Sequence, residues 1–156
     1  LYQYGKLQKG QRVLILGGSS GTGLFGIHIA KALGAEVITT RSEVLAEHSI
    51  DLIYDCGMEP ASWNDVAQTV LNEKTGIFAT ILMIDKPIES PIGATLHQIF
   101  NAPCTEYLLE LKKLIEAGKV KTIIDSVHPL ENVMEAFKVQ MSCRGRGKII
   151  IEIAKE

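Results

Sequence analysis

Apolar residues in this chain fall into short unbroken runs, set off by glycine-rich turns, and these runs alternate with segments in which apolar side chains recur every three or four positions. Residues 13–16, Val-Leu-Ile-Leu, lie between Gly10 and Gly17 as one such run. That is the pattern of a strand covered on both faces. Residues 22–33 follow as a helix that is apolar over most of its surface, and Gly34 stops it. Residues 36–40 are rich in β-branched side chains and read as a second strand. Strand, glycine turn, helix and strand make one βαβ unit.

The alternation continues. A weak helical stretch at 43–48 leads to a strand at 50–54. A helix is predicted over 62–73, with Ser62 as its N-cap and Asp65 three residues on. Gly76 ends it, and 77–83 is the next strand. Residues 85–103 carry Pro87, Pro91, Gly93 and Pro103 and read as a loop or crossing segment. Helix 105–117 shows Leu108, Leu111 and Ile115 on one stripe, with Gly118 at the C′ position. A strand at 122–127, an amphipathic helix marked by Leu130, Val133, Met134, Phe137 and Met141, and a strand at 147–153 close the chain. The fold class expected is α/β, a Rossmann-type doubly wound parallel sheet with helices on both faces.

Composition narrows the setting. A length of 156 residues suffices for one domain with a real core. With 46% hydrophobic and 22% charged residues, usage is that of an ordinary globular protein. The net charge of -2, with acids and bases interspersed, argues against nucleic acid or an anionic membrane as partner. No membrane span is expected, because the longest apolar stretch, 77–84, falls far short of the roughly 20 residues a bilayer needs. Cys56, Cys104 and Cys143 include no C-x-x-C pair, so they read as reduced, mostly buried thiols of an intracellular protein, cytoplasmic or mitochondrial. The chain opens on Leu1-Tyr2-Gln3 without Met and reads as cut from something longer.

The chemistry concentrates in Gly17-Gly18-Ser19-Ser20-Gly21-Thr22-Gly23-Leu24-Phe25-Gly26. Gly21, Gly23 and Gly26 form G-x-G-x-x-G. The pattern alone is weak, but here it leaves a buried strand, opens a helix and is followed by a second strand, the context of a dinucleotide-binding loop. In that reading the first glycine permits the turn, the second lets a pyrophosphate approach the backbone, and the third lets helix and strand pack closely. The helix start would present free N–H groups to the phosphates. Ser19, Ser20, Gly21, Thr22 and Gly23 are the phosphate-side candidates.

This loop resembles that of the medium-chain dehydrogenase/reductase superfamily, in its zinc-free quinone oxidoreductase branch. Other segments agree in order: residues 4–15 with the family's lead-in to its first strand, 29–38 with its first helix and second strand, and Asp51-Leu52-Ile53-Tyr54-Asp55-Cys56-Gly57 with its F-D-x-x-x-D-x-x-G strand. Residues 114–120 and 144–150 are similar to its C-terminal signature. The reticulon-interacting mitochondrial oxidoreductases resemble it most. The resemblance implies a dinucleotide-binding domain over residues 1–122. Residues 123–156 would then form a strand-helix-strand unit that the family packs on an N-terminal GroES-like substrate domain. The sequence as written carries no counterpart of that substrate domain, as expected of a chain cut from something longer. After Ser42 a helix and strand with an L-G-A-D motif are also missing, and the region between Thr95 and Cys104 is shorter than the family's.

Asp55 and Gly57 sit at the end of a predicted strand, on the ligand edge of such a sheet. The resemblance places this loop near the nicotinamide ribose; a role for Asp55 in capping a turn is equally open. Cys56 lacks the electropositive setting of a nucleophile and reads as a buried spacer. His28 reads as a packing residue on the first helix. The remaining histidines have neither triad nor metal-ligand spacing. Arg144, Arg146 and Lys148 either touch phosphate, as the resemblance hints, or make a solvated basic turn. For cofactor choice, the position about 20 residues beyond Gly21, where an acid would select NAD, falls at Arg41. Thr40, Arg41 and Ser42 offer donors and a cation there instead. NADPH is therefore expected over NADH.

The function expected is an NADPH-dependent, metal-free oxidoreductase of the quinone or enone reductase type, passing hydride from nicotinamide to a small-molecule acceptor. No catalytic side chain is assigned, and the chain as written is expected to be incomplete for turnover. A homodimer is left open. The alternative is a non-catalytic dinucleotide-binding or scaffold subunit derived from that family. A short-chain dehydrogenase is set aside, because no Tyr-x-x-x-Lys follows the fourth strand.

Overall fold

The computed structural model describes residues 1–39, 45–100, 102–142 and 144–153. Five parallel strands form the main sheet: β1 (Arg12–Leu16), β2 (Glu36–Ile38), β3 (Leu52–Asp55), β4 (Ile77–Thr80) and β5 (Thr95–Gln98). Their spatial order is β2-β1-β3-β4-β5. The connection from β1 to β2 runs one way, and β3 then takes the opposite side of β1. The order therefore reverses between β1 and β3, which in an open parallel sheet places the ligand crevice at the carboxyl ends of these strands. The fold is a Rossmann-like α/β fold, as the strand and helix periodicities predict.

Helix α1 (Gly21–Ala32) covers one face. Alternation along β1 explains why both faces are dry. Val13 and Ile15 point to the side of α1, where they cluster with Ala30 and Leu52. Leu14 and Leu16 point to the other side, where they meet Ile53, Trp63, Ala67 and Phe78. At the opposite edge of the sheet, Asp51 Oδ2 accepts from the Arg12 amide (2.7 Å) and Oδ1 accepts from Asn72 Nδ2 (2.9 Å), pinning β1 to β3 away from the crevice.

Two expectations are corrected. The helix predicted over 62–73 is a 3-10 turn at Pro60–Asn64 followed by the five-residue α2 (Val66–Val70), whose N-cap is Asp65, not Ser62. The hydroxyl of Ser62 donates instead to the Glu59 carbonyl (2.7 Å). The segment predicted as loop, 85–103, contains β5. Proline and glycine disguise this strand, which needs apolar cover from Leu96 and Ile99 only as an edge element. Between β4 and β5 the chain is strapped down by side chains of one stretch. Trp63 Nε1 donates to the Ile88 carbonyl (3.0 Å), Asn64 Oδ1 accepts from the Ile88 amide (3.1 Å), and Ser90 Oγ donates to Gln68 Oε1 (2.7 Å).

Helix α3 (Thr105–Glu116) buries no residue fully. The chain ends in β6 (Ile124–Pro129), α4 (Val133–Met141) and β7 (Lys148–Glu152); β6 and β7 pair as a separate two-stranded parallel sheet. Ile124, Val127, Met134, Phe137 and Met141 of this unit are exposed.

Candidate functional site

The loop between β1 and α1 is shaped by three local constraints. Gly17 takes φ +75°, a left-handed conformation that side chains other than glycine rarely adopt, and its carbonyl accepts from the Ser20 amide (2.9 Å). Ser20 caps α1, its Oγ accepting from the Gly23 amide (3.0 Å). Gly23 is buried so tightly that a Cβ there would lie 2.1 Å from the Gly17 carbonyl oxygen. The contact predicted to serve a pyrophosphate at Gly23 is thus taken by the chain's own turn. Gly23 packs the start of α1 onto the turn after β1, while Gly26 faces the ring of Tyr54 on β3 and Ile15 on β1, the close helix-to-strand approach expected of it.

What remains open is the start of the helix. The amides of Ser19, Gly21 and Thr22 have no acceptor among the described residues. Ser19 and Gly21 border a cleft of 210 Å³ whose near wall is Gly17, Ser19, Ser20 and Gly21, and whose far wall is Met58, Gln140, Gly145, Gly147 and Ile149. The basic turn before β7 supplies a cation. Lys148 Nζ lies 3.5 Å from where a Gly21 Cβ would stand and 5.9 Å from the centre of the Phe25 ring. Unpaired amides, the positive end of a helix and an ammonium group suit a phosphate group. The residues present fit the phosphates of a dinucleotide.

Asp55 reaches the crevice edge but turns away from it. It is fully buried. Its Oδ1 accepts from the amides of Met58 (2.9 Å) and Glu59 (3.0 Å), and its Oδ2 accepts from Thr80 Oγ1 (2.7 Å). Of its two readings, the geometry carries the turn: both carboxylate oxygens accept from protein donors. Thr80 was not singled out in the sequence. The signal lay in alignment, since Asp55 and Thr80 are direct partners in the β3–β4 register. Gly57, at φ +85°, remains at the crevice edge. Thr40, Arg41 and Ser42, and with them the expectation about the 2′-phosphate, lie outside the described residues, as does Cys143.

Cys56 is buried, and that burial, with the Asp55 carboxylate beside it, pushes its thiol up to about 12. The spacer role holds. Native protein treated with iodoacetamide at neutral pH is expected to stay unmodified at Cys56 and to be alkylated there after unfolding, because the thiolate is the reacting form. Peptide mass mapping checks this; alkylation of native Cys56 would overturn it. His28 is a packing residue whose Nδ1 accepts from the Lys121 amide (3.3 Å). Among the described residues no three His, Cys, Asp or Glu side chains are grouped to hold a metal ion, and no helix is long and apolar enough to cross a membrane.

Comparison with known proteins gives a consistent picture. The family profile described as zinc-binding dehydrogenase matches residues 33–151. The chain is 26% identical over 196 residues to an NAD(P)H oxidoreductase, RTN4IP1, mitochondrial, of Danio rerio, covering 94% of this chain and 50% of the relative. It is 28% identical over 177 residues to an acryloyl-coenzyme A reductase of Sulfurisphaera tokodaii, covering 95% and 52%. The quinone oxidoreductase of Coxiella burnetii superposes with a TM-score of 0.75 at 18% identity, over 96% of this chain and 55% of that one. The chain spans about half the length of the curated relatives it matches.

Proposed function

Since the chain belongs to the zinc-binding dehydrogenase family of the medium-chain dehydrogenase/reductase superfamily and carries its Rossmann half, we propose that it binds a nicotinamide dinucleotide, with the phosphates at the start of α1. The observation that carries this reading is a helix start where the amides of Ser19, Gly21 and Thr22 have no acceptor among the described residues, where Ser19 and Gly21 border the cleft, and where the Lys148 ammonium lies close to Gly21. Gly21 and Thr22 would donate to phosphate oxygens. The Ser20 hydroxyl is already committed to the Gly23 amide and would shape the turn rather than bind. Lys148 would offset the phosphate charge.

The same reading extends to activity. The dinucleotide, when bound, supplies a hydride, and the chain's own part is to hold its phosphates and to fix the loops after β3 and β4 beside it. We take the whole protein to be a reductase of the quinone or enone type, without a metal, as the resemblance of its glycine loop implies. Residues 1–122 would be the dinucleotide-binding domain and 123–156 the unit that meets a substrate domain. The exposed apolar side chains of β6 and α4 support that division.

NADPH is the cofactor proposed, on the strength of Arg41 and its neighbours Thr40 and Ser42. A guanidinium can grip a 2′-phosphate through two parallel N–H bonds. Such contacts contribute about 1.5–3 kcal/mol, roughly ten- to a hundred-fold in affinity. Calorimetric titration with NADPH and NADH, on wild type and Arg41→Ala, tests this. The wild type is expected to favour NADPH and the variant to lose that preference. Equal affinities in the wild type, or a preference that survives in Arg41→Ala, would show that Arg41 does not read the phosphate.

A further inference from the structure

A buried carboxylate with no exposure is rarely idle, and Asp55 is the one fully buried acid among the described residues. Its partners are unusual in where they lead. Through Oδ1 it holds the amides of Met58 and Glu59, which belong to the loop after β3. Through Oδ2 it holds the Thr80 hydroxyl at the end of β4, and Thr80 Oγ1 in turn accepts from the Leu82 amide (3.1 Å), in the loop after β4. The loop after β3 also touches the glycine loop, since Met58 Cγ would lie 2.5 Å from a Cβ at Gly17. One carboxylate and one hydroxyl thus join three loops at the crevice: the β1–α1 turn, residues 56–59 and residues 81–84.

The strand order says which end of a dinucleotide these loops would face. Ribose selection in such sheets sits at the end of β2, on one side of the reversal between β1 and β3. The adenosine half therefore lies on the β2 side, and the nicotinamide half on the side of β3 and β4. The two loops tied to Asp55 and Thr80 are on that second side. They present Met58, Leu82 and Met83 as exposed apolar side chains.

We propose that Asp55 and Thr80 form a positioning pair that sets the two loops flanking the nicotinamide half against the glycine loop, so that the site is ordered for the whole dinucleotide and not only for its phosphates. This rests on the dinucleotide reading above. The pair touches no ligand. It acts by fixing the backbone of Met58 and Leu82. Removing the Thr80 hydroxyl leaves the Leu82 amide without its acceptor and a buried carboxylate oxygen one donor short.

The test compares ADP, which lacks the nicotinamide half, with NADPH and NADH. Thr80→Val is expected to weaken the tighter-binding dinucleotide about ten-fold, the scale of one lost hydrogen bond, while ADP affinity stays within about two-fold. Thr80→Ser, which keeps the hydroxyl, should restore binding. Equal weakening of ADP and dinucleotide, no weakening of either, or failure of Thr80→Ser to restore would each overturn the proposal. Should Thr80→Val fail to fold, amide hydrogen exchange on the wild type decides. Protection of the Met58, Glu59 and Leu82 amides should rise together with the dinucleotide and not with ADP; independent responses would overturn it. If neither ADP nor a dinucleotide binds wild type, the dinucleotide reading itself fails and this one falls with it.

Discussion

Gly23→Val is expected to unfold the first βαβ unit rather than to block a ligand in an intact protein. The atom that decides this is the first one added. A Cβ at Gly23 would stand 2.1 Å from the Gly17 carbonyl oxygen and 2.7 Å from the Gly18 Cα. Both are backbone and cannot swing aside. Relief requires moving the turn away from α1, which breaks the bond between Ser20 Oγ and the Gly23 amide and the reverse turn closed by Gly17 and Ser20. Overpacking a core typically costs about 1–3 kcal/mol and occasionally more. Here the cost should reach or exceed the upper figure, a large part of the stability of a domain this size. Because the clash arises at Cβ, Gly23→Ala should do nearly as much damage as Gly23→Val. Urea denaturation followed by circular dichroism measures it. A Gly23→Ala variant with the wild-type midpoint would show that the turn is more yielding than its contacts indicate.

Trp63→Ala should be the most damaging substitution on the other face of the sheet. The side chain is 1% exposed and meets Phe78 edge to face, with ring centres 5.8 Å apart. Truncating a buried aromatic residue to alanine costs about 3–5 kcal/mol through lost transfer energy and the cavity left behind. The variant would also leave the Ile88 carbonyl without its indole donor. Trp63→Phe separates the terms: it keeps most of the ring burial and loses the N–H bond, so its cost should be about 1–2 kcal/mol. Urea unfolding of both variants gives the comparison. Equal destabilisation by the two would mean that the hydrogen bond, and not the volume, carries the effect.

How much of this was legible in the residues depends on the range of the interactions involved. The strand at 13–16, the helix after it and the strand at β2 announce themselves because burial on both faces, capping and β-branching are written in consecutive positions. Periodicity alone sees one continuous helix where the structure has a 3-10 turn and the short α2, because local side-chain bonds, from Ser62 Oγ to the Glu59 carbonyl and from the Val66 amide to Asp65 Oδ1, compete with helical pairing. β5 was hidden because an edge strand beside β4 needs little apolar signal of its own. At the site, the glycine loop and the close approach of Gly26 to the strands are legible, but the space expected for a pyrophosphate at Gly23 is filled by the Gly17 carbonyl. The Asp55–Thr80 pair joins positions 25 apart in sequence, and no local pattern marks such a partnership.

The strap between β4 and β5 bears on how this half of the sheet comes apart. Its anchors at Ile88 and Ser90 all lead back to Trp63, Asn64 and Gln68, within a single short stretch that includes α2. Among the described residues β5 in turn is paired on one side only, to β4. Stability in a protein is spent unevenly, in contiguous units that open together below the free energy of global unfolding. Here the grouping of anchors defines such a unit. Loosening residues 63–68 frees the strap and leaves β5 held chiefly by its pairing to β4, so these segments should open as one cooperative piece while β1, β3 and α1 stay shut. The end of the sheet farthest from the glycine loop would then be the part that breathes.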